Sequence, residues 1–85
     1  MGQAYGEEMA HEAEWRILNS TMLRAVRYDE GARQLRVRFA TGAVYRYYDV
    51  PPEIAQTLLD PPGRSRGRYF NDNIRDTFDY DEELP

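Results

Sequence analysis

Three arginines bracket a serine and a glycine in Arg64-Ser65-Arg66-Gly67-Arg68. If Ser65 opens a helix, free backbone N–H groups and the helix dipole favour an anion there, and the arginines supply forked donors for phosphate. Arg68, Asn71 and Arg75, spaced i, i+3, i+7, would carry that surface along one helix face. The same residues have a purely structural use. Ser65 suits an N-cap, Gly67 close packing, Asn71 a tie to the adjacent turn, and Arg68 with Asp72 an i,i+4 pair. A second pattern is Tyr45-Arg46-Tyr47. In a strand both tyrosines fall on one face, where they either stack unpaired bases or wall a core. With two helices to cover one face of the sheet, and aromatics in strands usually core, a half-buried wall is the expectation. Arg36 and Arg38 share the outer face of another strand, and Arg46 extends that stripe, which could track phosphates or lie solvated beside acids.

Catalytic chemistry has little to work with. The chain has no cysteine and one histidine, His11, in an acidic stretch. His11-Glu12-x-Glu14 lacks the second histidine of a zinc helix, and no Ser/His/Asp set can form within a domain that excludes His11. The acid spacing fits no calcium loop. We therefore expect no enzyme activity, no cofactor, no metal and no small-molecule substrate.

Charge is distributed unevenly. The net charge is −4, but residues 15–75 hold all eleven arginines against six acids, and no lysine occurs. Residues 1–14 and 76–85 are acidic without a base. The body could meet phosphates even though the whole chain is acidic. No apolar run approaches the ~20 residues of a membrane span, and the N-terminal residues read as no signal peptide. A cytoplasmic protein with no membrane partner is the expectation.

Elements that would position these residues follow from periodicity. Residues 22–28 alternate, but neither face is clearly the apolar one. Asp29-Glu30-Gly31-Ala32-Arg33 is turn chemistry. Leu35, Val37 and Phe39 point one way and Arg36 and Arg38 the other. Thr41-Gly42 turns the chain into Val44-Tyr45-Arg46-Tyr47-Tyr48. Pro51-Pro52 ends the sheet and opens a helix carrying Ile54, Ala55, Leu58 and Leu59. A second helix near Ser65 places Phe70, Ile74 and Phe78 on one face. The expected fold is α+β: a three-stranded antiparallel β-meander followed by two short helices packed on one side, β-β-β-α-α.

Several of these residues recur in a known pattern: Tyr28-Asp29, Gly42-x-x-Tyr45-x-Tyr47, Val50-Pro51, and Ser65-x-Gly67-x-Tyr69-Phe70-Asn71-x-x-Ile74. From about residue 17 to 80 the chain resembles the KTSC domain, named for the lysyl-tRNA synthetase C-terminus and also found as small stand-alone bacterial or phage proteins. Ser20-Thr21 is a loose match to its double serine, and residues 60–64 depart from its approach to the final serine. The resemblance marks Tyr45, Tyr47, Val50, Pro51, Ser65, Gly67, Phe70, Asn71 and Ile74 as motif positions. It implies a non-catalytic domain for which RNA binding has been suggested.

The expected organisation is an acidic N-terminal extension over 1–15, a KTSC-like domain over 16–80, and an acidic tail over 81–85. The expected function is RNA binding through Arg64, Ser65, Arg66, Arg68, Asn71 and Arg75, extended by Arg36, Arg38 and Arg46. Exposed edges of Tyr45, Tyr47 or Tyr69 would stack bases. The alternative is a protein-interaction module, acting through an edge strand or as a dimer. The acidic tails, residues 1–14 and 76–85, would fold back on the basic surface and weaken non-specific binding.

Overall fold

Residues 35–39 decide which side of the sheet is buried. Leu35 and Val37 are fully buried, while Arg36 and Arg38 between them keep partial access to water. The computed structural model describes residues 15–61, 63 and 65–83. Residues 1–14 of the expected 1–15 extension, the expected site residue Arg64 and tail residues 84–85 lie outside the described residues.

The strands are β1 (Arg16–Ile17), β2 (Leu23–Asp29), β3 (Gln34–Phe39), β4 (Val44–Tyr47) and β5 (Tyr80–Glu83). Between β4 and β5 come helix α1 (Pro52–Leu59), helix α2 (Arg66–Phe70) and a π-helical turn over Asn71–Arg75. All neighbouring strands are antiparallel and the order follows the chain, β1-β2-β3-β4-β5. The α+β class holds, but the sheet has five strands rather than the three expected. β1 is two residues long, too short to show alternation. β5 reads Tyr-Asp-Glu-Glu, a composition that in isolation favours a solvated tail. Its strand form comes from long-range contacts: backbone pairing to β4, Tyr80 against Tyr47, and Glu83 against two arginines. The sheet thus takes in residues 81–83, set apart in the sequence as tail.

A bulge explains why β2 shows no clear apolar face. Its register slips between Leu23 and Ala25 opposite Phe39 and Arg38. One extra residue reverses the alternation, so Leu23, Val26 and Tyr28 all face inward against Phe39, Val37 and Leu35. Without the slip, Leu23 and Val26 would point to opposite faces.

Local chemistry sets the helices. Pro51 stands in extended conformation at the N-cap and Pro52 at the first position, where a missing N–H breaks no bond. Glu53 lies in that first turn and suits the dipole. Ser65 caps α2, its hydroxyl accepting from the Arg68 N–H at 3.1 Å. The buried cluster joins Leu23, Leu35, Val37, Tyr47, Val50, Leu58, Phe70 and Ile74 from both layers. The Tyr28 hydroxyl donates to the Val50 carbonyl at 2.5 Å and ties β2 to the start of α1.

Candidate functional site

Part of the inner sheet face stays open. There a groove of about 670 Å³ runs over Phe39, Tyr45, Tyr47 and Phe70, with Tyr80, Arg75 and others along its sides. The register places Val37 opposite Tyr45, Leu35 opposite Tyr47, and Tyr47 opposite Tyr80, so all three tyrosines share this face. Tyr45 and Tyr47 stack with centroids 6.4 Å apart and planes 22° apart. Tyr80 lies 5.3 Å from each, tilted by 34–35°. Phe70 and Phe39 meet these rings edge-on. Tyr47 is 2% exposed and Tyr80 52%, so the wall grades from core to water across one strand pair.

Charge at this wall is mixed. Burial pushes the Tyr47 hydroxyl up to about 12, with Tyr80 and Tyr45 adding to the rise. Arg75 acts on it in the opposite sense and Asp76 in the same sense, so both charged groups lie within electrostatic reach of that hydroxyl. Both also line the groove, beside Asn71. Asn71 and Arg75 belong to the π-helical turn, a feature that recurs at functional sites. Among the described residues Arg75 Nη1 donates one long bond, 3.5 Å, to Asn71 Oδ1, and the Arg75 side chain is exposed.

Arg36, Arg38 and Arg46 are brought together as expected, but on the opposite, outer face. Arg36 and Arg46 are directly paired in register, a repulsive arrangement by itself. Glu83 on β5 resolves it: one carboxylate oxygen lies 2.9 Å from Arg36 Nε and also in close ion-pair contact with Arg46. The Tyr48 hydroxyl donates to Asp81 at 2.8 Å beside them, and that bond above all, with burial and the Asp81 charge adding, raises its pKa. The Arg38 guanidinium sits 4.5 Å over the Trp15 ring, with Arg27 at 5.8 Å. Much of this stripe is thus already partnered.

The segment around Ser65 is also engaged. Arg66 donates to the Leu59 carbonyl from Nε at 2.9 Å and from Nη2, closing the C-terminal end of α1. Gly67 faces Met22, whose Cβ is 3.4 Å from where a Gly67 Cβ would stand. Ser20 and Thr21 meet Ser65, Arg66 and Gly67 around a second, polar depression of about 340 Å³. The Ser20 hydroxyl already accepts from the Met22 and Leu23 N–H groups, both at 3.2 Å. Arg68 is exposed and reaches Asp72 only at 4.0 Å. Tyr69 is 8% exposed and offers no stacking face. Among the motif positions, Val50 and Ile74 are core and Pro51 starts α1.

Sequence reasoning missed Tyr80, Asp76 and Trp15. Tyr80 and Asp76 carry no local pattern that points to the groove, since pairing across long separations puts them there. Among the described residues no group of histidines and acids is placed to hold a metal ion, and no helix is long and apolar enough to cross a membrane.

A small α+β domain with an aromatic groove between sheet and helix is the class of protein that these features define. The chain belongs to the KTSC domain family, whose model matches residues 19–78. All nine motif positions named above fall within that span. An uncharacterized protein of Stutzerimonas stutzeri is 48% identical over 54 residues, covering 64% of this chain and 73% of that one. A lysine–tRNA ligase of Nostoc punctiforme is 29% identical over 62 residues, which are 73% of this chain but 11% of the ligase. The crystal structure of a KTSC domain protein from Yersinia pestis superposes with a TM-score of 0.78 at 24% identity, covering 84% of this chain and 97% of that one, and so shares the fold.

Proposed function

We propose that this protein is a small non-catalytic RNA-binding module whose contact face is the aromatic groove together with Arg68 and Arg75. The observation that carries this reading is the grading of Tyr47, Tyr45 and Tyr80 from core to surface beside the open guanidinium of Arg75. Unpaired bases stack on such a wall, each worth about 1–3 kcal/mol, while arginine meets phosphate or a base edge. The likeness to lysine–tRNA ligases, whose name gives tRNA as their substrate, supports the same reading. Arg36, Arg38 and Arg46 are secondary in it, being partnered on the far face, and a cytoplasmic location belongs with it. The test is a titration of isotope-labelled protein with bulk tRNA at low and at physiological salt, following backbone amide shifts. Salt-sensitive shifts at residues 45–47, 68–76 and 80 are the expected result. No shifts even at low salt, where charge attraction is strongest, would remove the RNA reading.

A second reading, a protein-interaction module, draws on Ile17. It is 79% exposed on β1, the edge strand of the sheet among the described residues, an apolar side chain on a strand edge. A partner held there would persist at high salt, and Ile17→Lys would release it.

A further inference from the structure

We infer that the groove selects a guanine base, a deepening that rests on the RNA-binding reading above. Two neighbouring residues of opposite hydrogen-bonding character line it. Arg75 offers only donors and Asp76, when ionised, only acceptors. Arg75 ends the π-helical turn and Asp76 is its C-cap, so the two adjoin along the chain where it borders the groove.

A base lying on that wall meets donors and acceptors side by side. Guanine answers both. Its O6 and N7 are an acceptor pair that an arginine fork grips, and its N1–H and N2–H₂ are a donor pair that a carboxylate grips. Adenine presents the N1 acceptor where guanine has a donor, so a carboxylate there faces a lone pair. Uracil lacks both pairs and cytosine the donor pair, and each covers less of the rings.

The shape of the site agrees. Planes of the three tyrosines differ by 22–35°, so the rings form a ladder suited to a flat ligand rather than a box around a spherical cation. A volume of about 670 Å³ accommodates a nucleotide, within the range of about 300–1,000 Å³ usual for small-molecule sites. One positive and one negative group at the wall match a neutral base, and the phosphates remain outside toward solvent.

Short oligouridylates carrying a single central guanosine, adenosine or inosine test this, with Tyr80 and Asp76 amide shifts as the readout. The guanosine oligomer should bind about tenfold more tightly than the adenosine one. Inosine, which keeps N1–H and lacks the N2 amine, should fall between them. Asp76→Asn should erase the difference between guanosine and adenosine, with an unchanged amide spectrum away from the groove showing that the fold is intact. Equal binding of all three oligomers to the wild-type protein overturns guanine selection and leaves RNA binding standing. Binding of none overturns both.

Discussion

Glu83 Oε2, at the end of the last strand, lies 2.9 Å from Arg36 Nε on the central strand β3. The same carboxylate contacts Arg46 on β4, so a single acid separates two cross-strand arginines and fastens β5 to the sheet. Glu83→Gln should therefore loosen β5 and free both guanidiniums. All three side chains keep about a quarter or more of their access to solvent, so the stability loss should stay near or below about 1 kcal/mol in a urea titration. Low-salt affinity for a polyanion such as heparin should rise in the same variant.

Arg66 tests whether the Arg64–Arg68 segment acts first as structure. Its guanidinium holds the carbonyl that ends α1, so Arg66→Met leaves that acceptor without its charged donor. A loss of about 1.5–3 kcal/mol is expected from chemical denaturation. Unchanged stability together with weakened RNA binding would return Arg66 to the ligand surface.

The tyrosine wall should divide into two classes. Tyr47→Ala empties a buried site and should destabilise by about 3–5 kcal/mol. Tyr80→Ala removes a half-exposed ring and should alter stability far less, yet weaken RNA binding by about 1–3 kcal/mol. A Tyr80→Ala protein that binds RNA as the wild type does would show that the groove is not the contact face.

Alkaline pH should expose the burial of Tyr47. Its folded pKa is raised from an ordinary 10.0 to about 12, chiefly by desolvation. The folded state thus keeps a proton that the unfolded chain gives up. Stability from this group is fully present below about pH 10 and is lost as pH rises toward about 12. The difference amounts to about 2–3 kcal/mol. Tyr28, raised mainly by burial, should contribute in the same direction. Unfolding midpoints measured across this window should fall, and less steeply in Tyr47→Phe.

Two glycines should respond in opposite ways to alanine. Gly42 turns β3 into β4 at φ 98°, where a Cβ is strained even with open space around it. Gly42→Ala should destabilise by about 1–2 kcal/mol. Gly67 stands in α2, with ordinary contact distance to Met22. Gly67→Ala should be neutral or stabilise by up to about 1 kcal/mol, read from thermal unfolding.

Much of the architecture was written in local pattern. The alternation of Leu35, Val37 and Phe39, the turn glycine, the proline start of α1 and the Ser65 cap each act within a few residues, so periodicity and capping rules reach them. That Tyr45 and Tyr47 share a face followed from the same alternation. Tertiary structure alone decided the rest, because those features depend on partners far along the chain. The phase of β2 is set by a bulge against β3, and β5 becomes a strand only through β4, Tyr47 and two arginines. The separation of the arginines was equally hidden. Arg36, Arg38 and Arg46 meet Trp15 and Glu83 on one face, Arg66 meets a helix end, and Arg75 is left beside the aromatic groove. A sequence records the arginines and their spacing; only folding determines which of them finds a partner.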